Sequence, residues 1–256
     1  MKAVLRIVLI VFASVVVLVA INFAPMISLK TPAMREYAAH GLTVWAAPTD
    51  VDEVEPLAAR IASQSAAVVE ALDGVDASGV EIIVYPNRDA LKRKTFGLAG
   101  MLMLPDWFIG RNTTDYVLIA SPSEPGPAHT RESIVQASVH EYVHVMTDRR
   151  YRELGYWMKE GIALYLAGQV PDESAVVRHS DLTWAEFSNP SALQFAEVGG
   201  YALAYTMVEY LIDRYGWDAV VGLVDPQASY ESVLGVTGHE LYDEWIATVR
   251  TRTAAR

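Results

Sequence analysis

From Ile7 to Leu29 the chain reads IVLIVFASVVVLVAINFAPMISL, with no charged side chain anywhere in the run. A helix of about 20 apolar residues crosses the hydrocarbon core of a bilayer, so this run predicts a membrane segment or a secretory signal. Signal cores usually span about 7–15 residues before a small-residue cleavage site. This run is longer, and its nearest small-residue candidate, Asn22-Phe23-Ala24, is followed by Pro25. The expectation is therefore an uncleaved single-pass anchor over residues 1–30, with cleavage and secretion as the alternative. Lys2 and Arg6 precede the run while Lys30 and Arg35 follow it, so the charge asymmetry across it is weak. The short N-terminal tail favours tail inside and residues 31–256 outside, an extracytoplasmic domain.

That remainder is long enough to bury a sizeable core. Its charge restricts its partners: 31 acidic against 20 basic residues leave a net charge of -11. Phosphate contacts need clustered Lys and Arg, so nucleic acid is not an expected partner. The basic cluster Lys92-Arg93-Lys94 reads as a solvated helix face. The chain has no cysteine, which removes disulfides, thiolate metal sites and a cysteine nucleophile. Any reactive site must be built from histidines, carboxylates and hydroxyls.

Strand-like and helix-like segments divide the chain. GLTVWAAP reads as a strand, the Asp- and Glu-led stretch up to Gly74 as a long helix, and VEIIVYP as a second strand. NRDALKRKTFG predicts a short helix capped by Asn87, and DWFIGRNTTDYVLIASP a hairpin about the turn RNTTD. Asn112-Thr113-Thr114 matches a glycosylation sequon but is better read as that turn. Thr130 is an expected N-cap for a helix over 131–149, followed by helices over about 155–168, 200–215 and 238–252. Strands early and helices late give an α+β class.

The helix over 131–149 contains HEYVH. Residues i and i+4 share a helix face, so His140 and His144 can present both imidazoles to one metal ion. Glu141 stands one step round the helix, placed to take a proton from a metal-activated water. Chance alone yields this pattern in roughly one such chain in a hundred, so a second signal is required. A catalytic zinc takes three protein ligands plus water. A third histidine soon after is ruled out, because HEYVHVMTDRR has Thr147 and Arg150 where a metzincin would need Gly and His. A carboxylate is available instead. Glu160 lies in GYWMKEGIALYLAG, surrounded by Trp157, Met158, Ile162, Leu164 and Leu166, and a charge in such apolar sequence needs a partner. The competing reading is a solvated residue beside Lys159.

HEYVH followed by WMKEGIALY resembles the gluzincin metallopeptidases, and more closely the small peptidase MA-like group, in which H-E-x-x-H precedes a W-x-x-E-G-x-A-x-Y helix. GLTVWAAP, VEIIVYPNRDAL, DYVLIASP and GGYALAYTMVEYLIDRYG are also similar to segments of that group, so the resemblance covers about residues 40–225. It implies that His140, His144 and Glu160 bind zinc and that Glu141 is the general base. It implies a zincin-like two-lobed fold as well, with an N-terminal mixed sheet lobe, a C-terminal helical lobe and a cleft between them. The chain also departs from its relatives. GLAGMLMLPDW lacks the glutamate with which gluzincin aminopeptidases hold a substrate amino terminus. Leu164 stands where some gluzincins carry an Asp that orients a histidine. Asp148 lies on the correct helical face to support a ligand but reads first as an ordinary surface aspartate, while His40, His129, His179 and His239 have no partner at metal spacing and read as surface or loop histidines.

The expected function is a membrane-anchored zinc peptidase hydrolysing peptide or protein substrates. Trp107 to Arg111 or Tyr116 to Ser121 would provide a strand edge for an extended peptide. Tyr201 and Tyr205, four apart in GGYALAYTMVEY, are candidate donors to the oxyanion, Tyr201 being favoured as nearer the helix start. The alternative is a membrane-tethered binding or assembly module that keeps the fold without turnover.

Overall fold

The apolar run folds as one helix, α1 (Lys2–Phe23), ending in a 3-10 turn at Ala24–Ile27 that contains Pro25. Its 22 residues span about 33 Å at 1.5 Å per residue, long enough to cross a bilayer. No residue from Val4 to Phe23 is buried inside the protein. The computed structural model describes residues 2–151, 154–178, 181–188, 192–225 and 227–254. Two compact units emerge, one formed by Met1–Ser63 with Gly79–Glu141 and the other by Gln64–Ser78 with Tyr142–Arg256. Helices α2 (Val54–Ala71) and α5 (Arg131–Arg150) each contribute residues to both.

The first unit holds a five-stranded mixed sheet of β1 (Arg35–Ala39), β2 (Leu42–Ala46), β3 (Glu81–Tyr85), β4 (Gly110–Asn112) and β5 (Tyr116–Ala120), ordered β1-β2-β3-β5-β4. β2, β3 and β5 run parallel. Residues 82–85 of β3 are fully buried, the continuous apolar run that a strand covered on both faces requires. β1 was not expected from the sequence, because REYAA lacks apolar alternation and stays largely exposed. Pairing recruits it: Ala39 opposes Leu42 across a two-residue loop in which His40 (φ 50°) and Gly41 (φ 77°) both take the positive φ of a type I′ turn. The expected hairpin occurs as β4 and β5, with Thr113 Oγ1 accepting from the Asp115 and Tyr116 amides in its turn. Of the two segments proposed as a sheet edge, Tyr116–Ala120 lies inside the sheet. The sheet's two edge strands are β1 and β4, and β4 overlaps the other proposed segment, Trp107 to Arg111.

Helix α3 (Arg88–Phe96) begins as expected at Asn87, whose side chain accepts from the Ala90 amide, and stops at Gly97 (φ 78°). Its basic cluster is not a solvated face. Lys92 is buried and donates to the Leu104 carbonyl at 3.0 Å, Lys94 donates to the Ser28 carbonyl at 2.7 Å, and only Arg93 is exposed. The segment leaving α1 is fastened to the sheet. Lys30 Nζ lies 2.6 Å from Glu81 and 3.8 Å over the Trp45 ring, and Tyr85 donates to the Leu29 carbonyl at 2.9 Å. A short helix, α4 (Gly100–Met103), follows α3.

The second unit is helical. The four predicted helices appear as the C-terminal half of α5, α6 (Tyr156–Leu166), α10 (Gly200–Tyr215) and α13 (Gly238–Ala254). Shorter pieces lie between them: α7 (Glu173–Arg178), α8 (Trp184–Ser188), α9 (Ala192–Glu197), α11 (Trp217–Leu223) and α12 (Tyr230–Leu234). Its core is aromatic: Phe187 stacks on Trp157 at 5.5 Å and lies 5.1 Å from Trp245, and Tyr242 donates to the Leu182 carbonyl. α6 packs on α10 at backbone range. A methyl group at Gly161 would stand 2.6 Å from the Ala204 carbonyl oxygen and 2.7 Å from Val208 Cγ2.

Gly161→Ala should therefore lower stability by about 1–3 kcal/mol through overpacking, although alanine is the better helix former. A fall in the urea midpoint at unchanged m-value would be the sign of it.

Candidate metal centre and active site

Helix α5 starts from a reciprocal cap in which the Ser133 amide donates to Thr130 Oγ1 at 3.1 Å and the Thr130 amide to Ser133 Oγ at 2.9 Å. This fixes where the helix begins and hence the direction of each later side chain. The helix then buries Ile134, Val139, Val143, Val145 and Met146. His140 and His144, one turn apart, emerge on a common face.

Glu160 joins them from α6. The donor atoms of His140, His144 and Glu160 all lie within 4.8 Å of one another. His144 Nε2 and Glu160 Oε2 are 3.4 Å apart. Atoms bound about 2.0–2.2 Å from a tetrahedral ion stand about 3.3–3.6 Å from each other, so this separation suits two ligands of one cation. Two imidazoles and a carboxylate are also a donor set that zinc accepts. Glu160 is only 7% exposed, which excludes the solvated reading. Its neighbour Lys159 instead donates to Asp148 at 2.7 Å, tying α6 to the C-terminal half of α5. Asp148 thus supports the position of α6.

Glu141 faces the edge strand. A methyl group built on Gly110 of β4 would lie 2.6 Å from Glu141 Oε1, so the carboxylate rests directly against the β4 backbone. No side chain larger than hydrogen fits there without displacing it. The rest of β4 is fixed from α3: Arg111 donates to the Thr95 carbonyl at 3.0 Å and lies 4.5 Å over the Phe96 ring.

The two tyrosines have different surroundings. Tyr201, in the first turn of α10, shares a 3.1 Å hydrogen bond with the hydroxyl of Tyr156 and packs edge-on against Phe195 at 5.3 Å. Tyr156 stands four residues before Glu160, on the same face of α6. Tyr205 is buried beside Tyr165 at 5.8 Å, which in turn stacks on Trp217 at 6.0 Å. Burial, then Glu209 and Tyr165, push its phenol pKa up. Among the remaining histidines, His40 pairs with Glu55 at 2.5 Å, His129 lies 3.0 Å from the Trp107 carbonyl, and His239 stands 4.0 Å from Asp243. His179 lies outside the described residues.

Two residues of this region escaped sequence reasoning. Tyr156 carries a signal in its i, i+4 spacing to Glu160. Gly110 carries none, because only the pairing of β4 with β5 brings it to α5.

A family model described as the peptidase MA superfamily matches residues 61–249. A search of curated proteins returned no match to the chain.

If the three donors hold a divalent ion, adding zinc at about a hundredfold above its Kd to metal-stripped protein should stabilise it by about 2.7 kcal/mol. Glu160→Gln and His144→Ala should each lose most of that gain. Equal zinc-dependent rises in Tm in wild type and both variants would remove the cluster as the binding site.

Proposed function

Since the chain belongs to the peptidase MA superfamily, we propose that it is a membrane-anchored, zinc-dependent endopeptidase of gluzincin type. In this reading residues 1–30 are the anchor and residues 31–256 the peptidase domain, facing away from the cytoplasm. The observation that carries the proposal is the convergence of His140, His144 and Glu160, with Glu141 of the same helix against the edge strand.

His140, His144 and Glu160 would hold the zinc. A bound zinc polarises the scissile carbonyl and acidifies a water, the chemistry such an ion supplies in hydrolases. Glu141 accepts the proton of the attacking water and passes it to the leaving amine. Its distance from the outer edge of β4 is set by the Gly110 backbone, so a peptide added to that edge as an extended strand runs past the carboxylate. Tyr201 donates a hydrogen bond to the developing oxyanion, its hydroxyl held by Tyr156 one turn from the ligand Glu160. Tyr205, enclosed by Tyr165, shapes the helix that carries Tyr201 and stands second as donor.

Chelator-sensitive cleavage of a fluorogenic peptide library tests the whole reading. Wild-type protein that holds zinc and cleaves nothing would instead be a binding module. Glu141→Gln should retain zinc and lower kcat at least about a hundredfold, the scale of general-base catalysis. Gly110→Ala changes the identity of no proposed reacting group but displaces the Glu141 carboxylate, and should lower kcat by about tenfold to a hundredfold.

The hydroxyl assignment predicts that Tyr201→Phe reduces kcat by about tenfold to a thousandfold with KM and zinc content nearly unchanged. A value within about twofold of wild type would reassign the donor to Tyr205 or a backbone amide.

A further inference from the structure

Large apolar side chains exposed outside α1 are concentrated in one place. Of the ten among the described residues, seven are Ile27 and six residues from Phe96 to Trp107. Leu102 is 91% exposed and Met103 78%, with Leu98, Met101 and Trp107 beside them in sequence. A folded domain rarely leaves such a cluster in water unless something covers it.

The same segment is fastened to the end of α1. The Leu98 amide donates to the Asn22 carbonyl at 3.1 Å, and the Ala99 amide to the Asn22 side chain at 2.8 Å. Gly97, at φ 78°, comes so close that a methyl group there would stand 2.5 Å from the Asn22 oxygen. Lys94 adds its bond to the Ser28 carbonyl. Asn22 lies in the last turn of a helix long enough to cross the hydrocarbon, so it sits near the boundary with the headgroups. Leu102 is three residues from Ala99, within about 10 Å of that boundary by chain reach alone. The headgroup layer is itself about 5–8 Å deep on each side.

We propose that the loop and short helix from Leu98 to Trp107 insert into the interfacial layer of the bilayer that α1 spans, as a second membrane contact. The proposal rests on α1 being retained as an anchor. The chemistry of the segment fits: Leu and Met side chains suit the acyl boundary, and Trp107 belongs to the aromatic class enriched there.

The absence of cysteine permits a direct test in full-length protein reconstituted in phosphatidylcholine vesicles. Single variants Ile10→Cys, Leu102→Cys and Met103→Cys, each carrying an environment-sensitive fluorophore, would be exposed to iodide and to lipids bearing a nitroxide at shallow or deep acyl positions. The expected result is an Ile10 label quenched by the deep nitroxide, with Leu102 and Met103 labels quenched by the shallow one and shielded from iodide. Labels at Leu102 and Met103 open to iodide, with Ile10 in lipid, would overturn the second contact and leave the anchor standing. Labels shielded from both quenchers would show a protein covering the segment and also overturn it. An Ile10 label untouched by the deep nitroxide would overturn the anchor and this contact with it.

Discussion

The carboxylate of Glu160 is the constraint on which the helical unit turns. Removing an ionised carboxylate from water costs several kcal/mol even after relaxation, and a partner must offset that. His144 stands 3.4 Å away, so the energetically tolerable position of α6 is the one that brings these two groups together. Its sequence neighbours make α6 hard to place otherwise. Lys159 reaches Asp148 on α5, and Gly161 lets the helix backbone approach Ala204 on α10. Three consecutive residues thus hold α6 to an imidazole, a carboxylate and a backbone.

In the sheet unit the corresponding constraint is close backbone approach. Gly110 brings β4 against Glu141, and Gly97 brings the end of α3 against Asn22. Both contacts depend on a missing side chain. Arg111 links them mechanically, since its guanidinium joins β4 to Thr95 and Phe96 at the end of α3. The end of the apolar helix and the strand beside Glu141 therefore belong to one continuous set of contacts.

Much of this was legible in the residues. The i, i+4 histidines, the cap at Thr130, the Asn87 cap and the hairpin over RNTTD are local features, governed by helix periodicity and turn chemistry within a few residues. Glu160 was legible because a charge in an apolar helix is conspicuous. Lys92 was misread for the converse reason. A lysine among basic neighbours looks solvated, and only the fold shows the Leu104 carbonyl replacing water around its ammonium. β1 was missed because an exposed strand has no apolar alternation to reveal it.

By itself, the sequence determined the apolar helix, the longer helices and inner strands, the spacing that makes His140 and His144 a pair, and Glu160 as a candidate carboxylate in need of a partner. Each follows from the periodicity of a single segment or the cost of an unpartnered charge. Tertiary structure alone decided that β4 is an edge strand, that Gly110 abuts Glu141, that Tyr201 meets Tyr156 while Tyr205 lies against Tyr165, and that Asn22 grips residues 97–99. Those contacts join residues far apart in the chain. Strand order, helix packing and backbone proximity choose among partners that no local pattern distinguishes.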